Sequence, residues 1–482
     1  MLIRGCQVDG AHCDVRVDPA AGRIAEIARR LAALAAEHVI EASGGALLPG
    51  LNDHHAHLFA TAAALGSVRC GPPHVRDAPA LAAAISAARA GDGGWLRGVG
   101  YHEAVAGALD RLALDRIEDA RPVRVQHRTG ALWVLNSAAI AMLGLDAGVD
   151  APGVERDAVG RATGRLFRLD AWLRARIAES APSASSSPRK ALEPALRALS
   201  QHYARCGVTG VTDAGADNGA SALAAIADAQ RAGDLAQRVL VMGDESLPVL
   251  ATPELSTGAL KLLLDERALP DLGSLVARIA AAHARRRTVA VHCVTRVELH
   301  FALAALAEAR VLRGDRIEHA SVAPPEAVRE IARLGLTVVT QPSFVLERGD
   351  TYLDDVDPTD RAWLYRARVF LAQRTPLAAG SDAPYAEPDP WRAMRAACER
   401  RTAGGAALGS AEALTPEEAL ALFTAPLEAP GSAPPPLAPG APADLCLLRV
   451  PWSEARRNLH ADLVTGTWRA GHLLWNEDAP RP

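Results

Sequence analysis

Lysine is almost missing from this chain of 482 residues, in which 50 of the 52 basic side chains are arginines and only Lys190 and Lys261 remain. Cysteine is also sparse. The seven cysteines are odd in number and scattered, so neither a disulfide framework nor a thiolate zinc site is indicated, and a reducing cytoplasm is predicted. The chain has no run of about 18 apolar residues and no signal-peptide pattern, which predicts a protein that neither spans a membrane nor is secreted.

Charge of one sign does not accumulate anywhere in the chain. The formal charge is −4 and the arginines alternate with acidic residues, so the basic stripe typical of nucleic-acid binding is absent. The hydrophobic content of 49% is nevertheless enough for one large domain and a smaller one. We therefore expect a cytoplasmic protein that binds a small-molecule substrate, with neither nucleic acid nor membrane as a partner. The sequence leaves a monomer and a homo-oligomer both open.

Lys261 is notable because so few lysines occur. It lies in Gly258–Leu264, an apolar run of strand length. Burial disfavours the charged ammonium, so a buried lysine has a lowered pKa and offers a neutral amine. Such an amine can act as a Schiff-base nucleophile, or it can take up carbon dioxide and become a carbamate, which is an anionic metal ligand. A third alternative is a lysine at a strand end that extends its amine to solvent.

The order of strand-like and helix-like segments predicts the fold class. Strand-like runs occupy both ends of the chain, whereas the region from about Leu51 to Pro426 alternates such runs with helical stretches. This alternation predicts a parallel sheet with helices outside it, and eight such units close into a barrel. We therefore predict an α/β protein with a (β/α)8 TIM barrel and a small composite β-sandwich domain formed by both termini. The predicted parts are residues 1–50 and 440–482 for the sandwich, 51–430 for the barrel, 431–442 for a proline-rich linker, and Ser180–Ser187 for an exposed loop.

The strongest local motif is Asp53-His-His-Ala-His57, at the end of a strand-like run. Because side chains alternate along a strand, His55 and His57 share a face and can bind one divalent cation, while His54 falls on the other face.

Three further residues with metal-binding side chains end strand-like runs elsewhere in the chain. His292 closes the run Thr288–His292, His319 closes Arg316–His319, and Asp382 follows an apolar run that ends at Gly380. The carboxyl ends of the strands are where a barrel keeps its active site. Six candidate ligands result: His55, His57, Lys261, His292, His319 and Asp382.

These motifs resemble the amidohydrolase superfamily of metal-dependent hydrolases, and within it the amidohydrolase-3 group that includes N-substituted formamide deformylases. The similarity runs over nearly the whole length. Its specific motifs are Pro49-Gly50 with the histidine pair, the lysine strand, Arg316-Ile-Glu-His319 and Gly380-Ser-Asp-Ala-Pro384. The resemblance implies one metal on His55, His57 and Asp382, a second on His292 and His319, and a carbamate on Lys261 that bridges the two. It also implies zinc, as one or two ions, and the barrel with its β-sandwich.

The implied mechanism is hydrolysis. Two cations that share a carbamate and a hydroxide would provide a nucleophile and polarise the scissile carbonyl. Asp382 would take the proton of the nucleophile and pass it to the leaving amine as general acid and base. The predicted enzyme therefore cleaves a carbon–nitrogen bond other than a peptide bond, in an N-formyl, N-acyl or cyclic amide.

Three other functions compete with this prediction. A heterocycle deaminase of the same superfamily commonly has a glutamate a few residues after the third histidine, and His292-Cys-Val-Thr-Arg296 contains none. A catalytically inactive barrel that serves as a binding protein is expected to lack ligands, yet every ligand is present. A Schiff base on Lys261 leaves the histidines unexplained.

The sequence departs from the group where the substrate would bind. Many relatives have a histidine at the position of Ala131, for which His127 is a candidate substitute. The candidate substrate-binding residues follow or lie within strand-like runs, and core packing is the alternative role for each of them: Tyr101, His102, Trp133, Gln341 and Phe344.

Overall fold

The computed structural model describes residues 1–72, 74–89, 94–149, 151–180 and 193–477. The chain divides into two compact units, one formed by Met1–Leu58 with Arg197–Pro482 and the other by Phe59–Leu196. Helices Leu58–Leu65 and Glu193–Arg205 run across the two points at which the chain passes between the units.

The first unit contains a sheet of eight parallel strands whose spatial order follows the chain. The strands are nearly closed into a barrel, because the Asp382 amide donates to the His55 carbonyl (2.7 Å) and the His57 amide donates to the Ala383 carbonyl (2.9 Å), joining the first strand to the segment after the last. The predicted TIM barrel is therefore confirmed. Its strands are Leu51–Ala56, Val208–Asp213, Arg238–Gly243, Leu255–Leu263, Val289–Cys293, Arg316–His319, Thr337–Thr340 and Leu377–Ala379.

Helices follow most of these strands, as a parallel sheet requires. Strands such as Val208–Asp213 are buried at every residue, which explains their continuous apolar composition. The helices of the first unit are Ala220–Ala232, Leu272–Ala284, Arg296–Ala309, Pro325–Leu334, Ser343–Asp355, Pro358–Arg361, Ala367–Ala372, Pro390–Glu399, Pro416–Thr424 and Trp452–Ala455, with 3-10 turns at Glu266–Ala268, Ser410–Glu412 and Ala461–Leu463.

The two ends of the chain form two four-stranded sheets that share one core. Ile3 and Val15 of the first sheet and Leu47, Leu445 and Trp468 of the second are all buried in this core. The predicted composite β-sandwich is confirmed. Its strands are Leu2–Val8, Ala11–Asp18, Arg23–Ala28 and Val39–Glu41 in one sheet, and Leu47–Pro49, Leu445–Leu448, Val464–Arg469 and His472–Asn476 in the other. Residues 431–442, predicted as a linker, contain neither helix nor strand.

The second unit has its own six-stranded sheet and its own apolar clusters. The sequence patterns did not separate this unit from the barrel, because its strands and helices alternate in a similar way. The predicted loop Ser180–Ser187 lies outside the described residues, apart from Ser180, which ends a helix. The strands are Val68–Arg69, Leu96–Tyr101, Val123–His127, Leu132–Leu135, Val154–Arg156 and Ala162–Phe167, and the helices are Ala78–Ser86, Glu103–Ala106, Arg111–Asp115, Ser137–Leu143 and Asp170–Ser180, with a 3-10 turn at Leu145–Ala147.

Across both units, no described helix combines the length and the apolar character needed to cross a bilayer.

Candidate metal centre

Four of the predicted histidines lie together at the carboxyl ends of the barrel strands. His55 is in the first strand and His57 directly follows it, while His292 and His319 are in the fifth and sixth strands. The ring centroids of His57 and His55 are 5.5 Å apart, those of His55 and His319 are 4.8 Å apart, and those of His319 and His292 are 4.5 Å apart. The imidazoles therefore form one continuous group at the mouth of the barrel.

Asp382, which follows the eighth strand, contacts this group through its carboxylate. Its Oδ1 lies 3.3 Å from Nε2 of His57 and 3.5 Å from Nε2 of His55. Ligand atoms of His55, His319 and Asp382 all lie within 4.8 Å of one another, and all three residues are buried. Two imidazole nitrogens and a carboxylate oxygen at this spacing suit a divalent cation of the zinc type.

Unusual backbone conformations bring two of these side chains into the group. His319 and Asp382 have φ values of 67° and 55°, in the left-handed region that residues with a Cβ rarely adopt. Such strain persists only where surrounding structure enforces it, and it concentrates at functional sites. Gly380 supports the same arrangement, because a Cβ at this position would lie 2.4 Å from the His55 backbone nitrogen.

Lys261 is in the fourth barrel strand, Leu255–Leu263, and only 3% of it is exposed. Its Nζ has no hydrogen-bond partner among the described residues. Burial lowers the pKa of Lys261, although the negative charge of Glu318 opposes that shift. A buried amine without a partner is costly, so the structure calls for a group that would satisfy it.

The pKa values of the histidines favour the neutral imidazoles that metals bind. Burial lowers the pKa of His55 to about 3, and the nearby Lys261 charge acts in the same direction. Burial likewise lowers the pKa values of His292 and His319. His57 differs, since burial acts to lower its pKa, but its hydrogen bond to Asp382 and the negative charges of Asp382 and Asp213 together outweigh that effect and raise it.

The carboxyl group of Asp382 is held in its ionised form. Burial alone would raise its pKa, but the hydrogen bond from His57 and the electrostatic interactions with His55 and His319 hold the pKa below its usual value. Asp382 is therefore an anion that can bind a cation or accept a proton at neutral pH.

The structure also shows residues that orient these histidines, which the sequence analysis missed. The Glu318 carboxylate is hydrogen-bonded to Nδ1 of His55 and accepts from Nε of Arg316 at 2.5 Å. Gln341 Oε1 lies 2.7 Å from Nδ1 of His319. With Nδ1 engaged in this way, Nε2 of each histidine is left for a metal, and this is the usual arrangement around metal-bound imidazoles. Gln341, predicted as a substrate contact, thus contacts a candidate ligand.

A second missed residue, Asp53, anchors the histidine motif from behind. Its carboxylate accepts from the backbone amides of His55 (3.1 Å) and Ser381 (2.9 Å) and from the hydroxyls of Ser381 (2.5 Å) and Tyr203 (3.3 Å). Asp53 therefore links the first barrel strand to the segment that presents Asp382. The sequence signal was the Asp53-x-His55-x-His57 spacing, which places all three residues on one face of the strand.

Each of the remaining predicted substrate residues makes contacts within its own unit. Tyr101 is buried in an apolar cluster of the second unit and donates its hydroxyl to the Gly107 carbonyl at 2.6 Å. Trp133 belongs to the other cluster and donates Nε1–H to Asp170 at 2.7 Å. His102 caps helix Glu103–Ala106. Phe344 packs in the first unit, with the Arg348 guanidinium 4.0 Å from its ring centroid. Their role in substrate binding stays a prediction.

His127, the candidate substitute at the Ala131 departure, lies 2.9 Å from the Glu103 carboxylate and 2.8 Å from the Thr129 hydroxyl. His54 is fully buried, and neither of its ring nitrogens has a hydrogen-bond partner among the described residues.

Comparison with known proteins places this geometry in context. Residues 38–474 match the sequence pattern of the Amidohydro_3 group, described as the amidohydrolase family. The N-substituted formamide deformylase of Arthrobacter pascens is 27% identical over 463 residues, which covers 86% of this chain and 85% of that protein. An uncharacterized metal-dependent hydrolase from Pyrococcus furiosus has a similar fold, with a TM-score of 0.70, 21% identity, and coverage of 93% of this chain and 98% of that one. The atrazine chlorohydrolase TrzN of Arthrobacter aurescens TC1, determined with zinc, aligns with a TM-score of 0.56, 14% identity, and coverage of 99% and 97%.

Proposed function

The chain belongs to the amidohydrolase family, and on that premise we propose that it is a metal-dependent hydrolase that cleaves a carbon–nitrogen bond other than a peptide bond in a small amide. The observation that carries the proposal is the group formed by the histidines, Asp382 and the unpartnered Lys261 at the carboxyl ends of the barrel strands. An N-formyl, N-acyl or cyclic amide is the proposed substrate. The deformylase similar to this chain supports the choice, since its name describes an enzyme that acts on N-substituted formamides.

We propose that the group holds one or two zinc ions. His55, His57 and Asp382 would bind one ion, and His292 with His319 would bind the other. Lys261 would join them as a carbamate, which would satisfy an amine that otherwise lies buried without a hydrogen bond. Imidazole nitrogens and carboxylate oxygens are ligands that zinc accepts, and zinc is the ion in the TrzN structure. When bound, the ions would supply Lewis-acid activation of water and of the scissile carbonyl.

The side chains of this protein would manage the proton. Asp382 takes up a proton at its carboxylate as water oxygen bonds to the carbonyl carbon, and it returns that proton to the nitrogen as the C–N bond breaks. Its low pKa keeps it ionised before the reaction. Glu318 and Gln341 hold His55 and His319 through Nδ1, so their rings keep one orientation during this transfer.

The proposal is tested by measuring metal content and activity in the same preparation. We expect the purified protein to bind zinc and to hydrolyse members of a panel of N-formyl, N-acyl and cyclic amides, and we expect a chelator to abolish that activity reversibly. Aminated heterocycles belong in the same panel. Ammonia release from these alone would assign a deaminase, and a zinc-loaded protein without activity on any compound would favour a binding protein.

A further inference from the structure

The side chains next to the metal-binding group, toward the mouth of the barrel, indicate which class of substrate the site can bind. Leu263 is 59% exposed, although its neighbours Leu262 and Leu264 are 1% and 3% exposed. Leu263 follows Lys261 by two residues in the same strand, so the two side chains share a face. Leu263 is also the cross-strand partner of His292. An uncovered leucine thus lies next to two candidate ligands, one step closer to the mouth of the barrel.

Two exposed valines follow the adjacent strand, which carries His292. Val294 follows His292 by two residues and is 39% exposed, and Val297, in the first turn of helix Arg296–Ala309, is 46% exposed. Leu263, Val294 and Val297 are here called the apolar rim. Single exposed apolar residues are ordinary in proteins, but these three all lie at or shortly after the ends of the two paired strands that carry Lys261 and His292, where a ligand of the site can cover them.

The apolar rim is held in place by one buried carboxylate. Glu298 accepts from the backbone amides of Val294 (2.8 Å) and Thr295 (3.1 Å) through Oε2, and from that of Glu266 (3.2 Å) through Oε1. This single side chain therefore ties the segment after Leu263 to the segment after His292. A rim fixed in this way is preorganised for binding, because little conformational entropy remains to be lost.

We propose that the apolar rim binds an apolar substituent of the substrate, so that the preferred substrates are amides with an alkyl or aryl group next to the scissile bond. This inference rests on the proposed function and narrows its substrate class. The occupant is a substrate group because the rim is continuous with the site through the strand face shared by Lys261 and Leu263.

The test compares two formamides with the same number of non-hydrogen atoms, N-butylformamide and N-(3-hydroxypropyl)formamide. We expect kcat/KM of the wild-type protein to favour the butyl compound about tenfold or more, as apolar pockets do for small differences in apolar surface. Leu263→Asn should reduce that preference about fivefold. Leu473→Asn is the matched control, because Leu473 is 51% exposed on a β-sandwich strand, and this variant should keep the preference.

A binding measurement separates failure of this inference from failure of the proposed function. The zinc-loaded protein should bind octanohydroxamic acid more tightly than acetohydroxamic acid, and Leu263→Asn should reduce the difference. If no formamide is hydrolysed but this binding pattern appears, the proposed reaction is wrong and the apolar rim stands. If formamides are hydrolysed with a preference that Leu263→Asn leaves unchanged, the apolar rim is overturned. A changed oligomeric state in Leu263→Asn with an unchanged preference would also overturn it, and would assign the surface to a second copy of the chain.

Discussion

Substitution of Glu318 by glutamine tests whether the Glu318 carboxylate orients His55 for metal binding. The glutamate is fully buried and joins His55 Nδ1 to the Arg316 guanidinium. Glutamine keeps the size and one acceptor oxygen, but it removes the charge. A single amide oxygen must then serve the two groups that the carboxylate joins, and among the described residues the other hydrogen-bond partners of Arg316 are the His54 carbonyl at 3.2 Å and the Met242 sulfur at 3.5 Å. Removal of one partner from a buried ion pair costs about 3–5 kcal/mol of unfolding free energy.

The effect on metal binding should be smaller but specific. Loss of a group that supports a metal-bound histidine typically weakens metal affinity about 10- to 100-fold, which corresponds to about 1.4–2.7 kcal/mol. We expect a zinc dissociation constant raised by this factor in Glu318→Gln, measured by competition with a chromogenic chelator, and a lowered urea midpoint.

Glu330→Gln is the matched control, since Glu330 also pairs with an arginine, Arg333, but on the exposed face of a helix. Exposed pairs contribute at most about 1 kcal/mol, so this variant should keep its zinc affinity and nearly all of its stability. Wild-type zinc affinity in folded Glu318→Gln would refute the role assigned to Glu318. If that variant does not fold, Gln341→Met removes the acceptor of His319 Nδ1 without removing a charge, and it should also weaken zinc binding.

Three further substitutions test other parts of the site. Lys261→Arg keeps a cation but cannot form a carbamate, so we expect it to lose activity and to contain less zinc by elemental analysis. Lys261→Ala should regain part of its activity when acetate is added. Full zinc content and full activity in Lys261→Arg would contradict the carbamate. Asp382→Asn removes the proton acceptor and should lower kcat about 10²- to 10⁴-fold in steady-state assays. A smaller decrease in kcat would show that another group accepts the proton. Gly380→Ala places a Cβ 2.4 Å from the His55 nitrogen and should lower the unfolding free energy by about 1–3 kcal/mol in urea titrations, while no loss would show that the two strands can separate.

The sequence was informative where side-chain type and strand periodicity agree. Lys261 was recognisable because lysine is so rare in this chain, and His292 and His319 because each lies at or near the end of a strand-like run. The position of Glu318 was not predictable, since it precedes His319 directly and adjacent residues of a strand face opposite sides. The backbone at His319 leaves the extended conformation (φ 67°), so this alternation does not hold there, and no sequence pattern indicates that conformation.

The second unit shows the same limit of prediction from sequence, here for the fold. Barrel strands such as Val289–Cys293 and sheet strands such as Leu132–Leu135 are similar, largely apolar runs in a chain that alternates strands with helical segments. What distinguishes them is their pairing. Leu132–Leu135 pairs antiparallel with the strands on both of its sides, whereas all barrel pairs are parallel. Strand pairing depends on long-range contacts that periodicity does not contain.

Anomalous scattering at the zinc absorption edge, from crystals of the zinc-loaded protein, tests the central claim most directly. We expect one peak beside His55, His57 and Asp382 and, where two ions are bound, a second peak beside His292 and His319, each about 2.0–2.2 Å from the imidazole nitrogens or carboxylate oxygen that bind it. Continuous density from Lys261 Nζ toward the peaks would mark the carbamate. Zinc bound elsewhere, with no peak among these side chains, would contradict the assignment of the group as the catalytic metal centre.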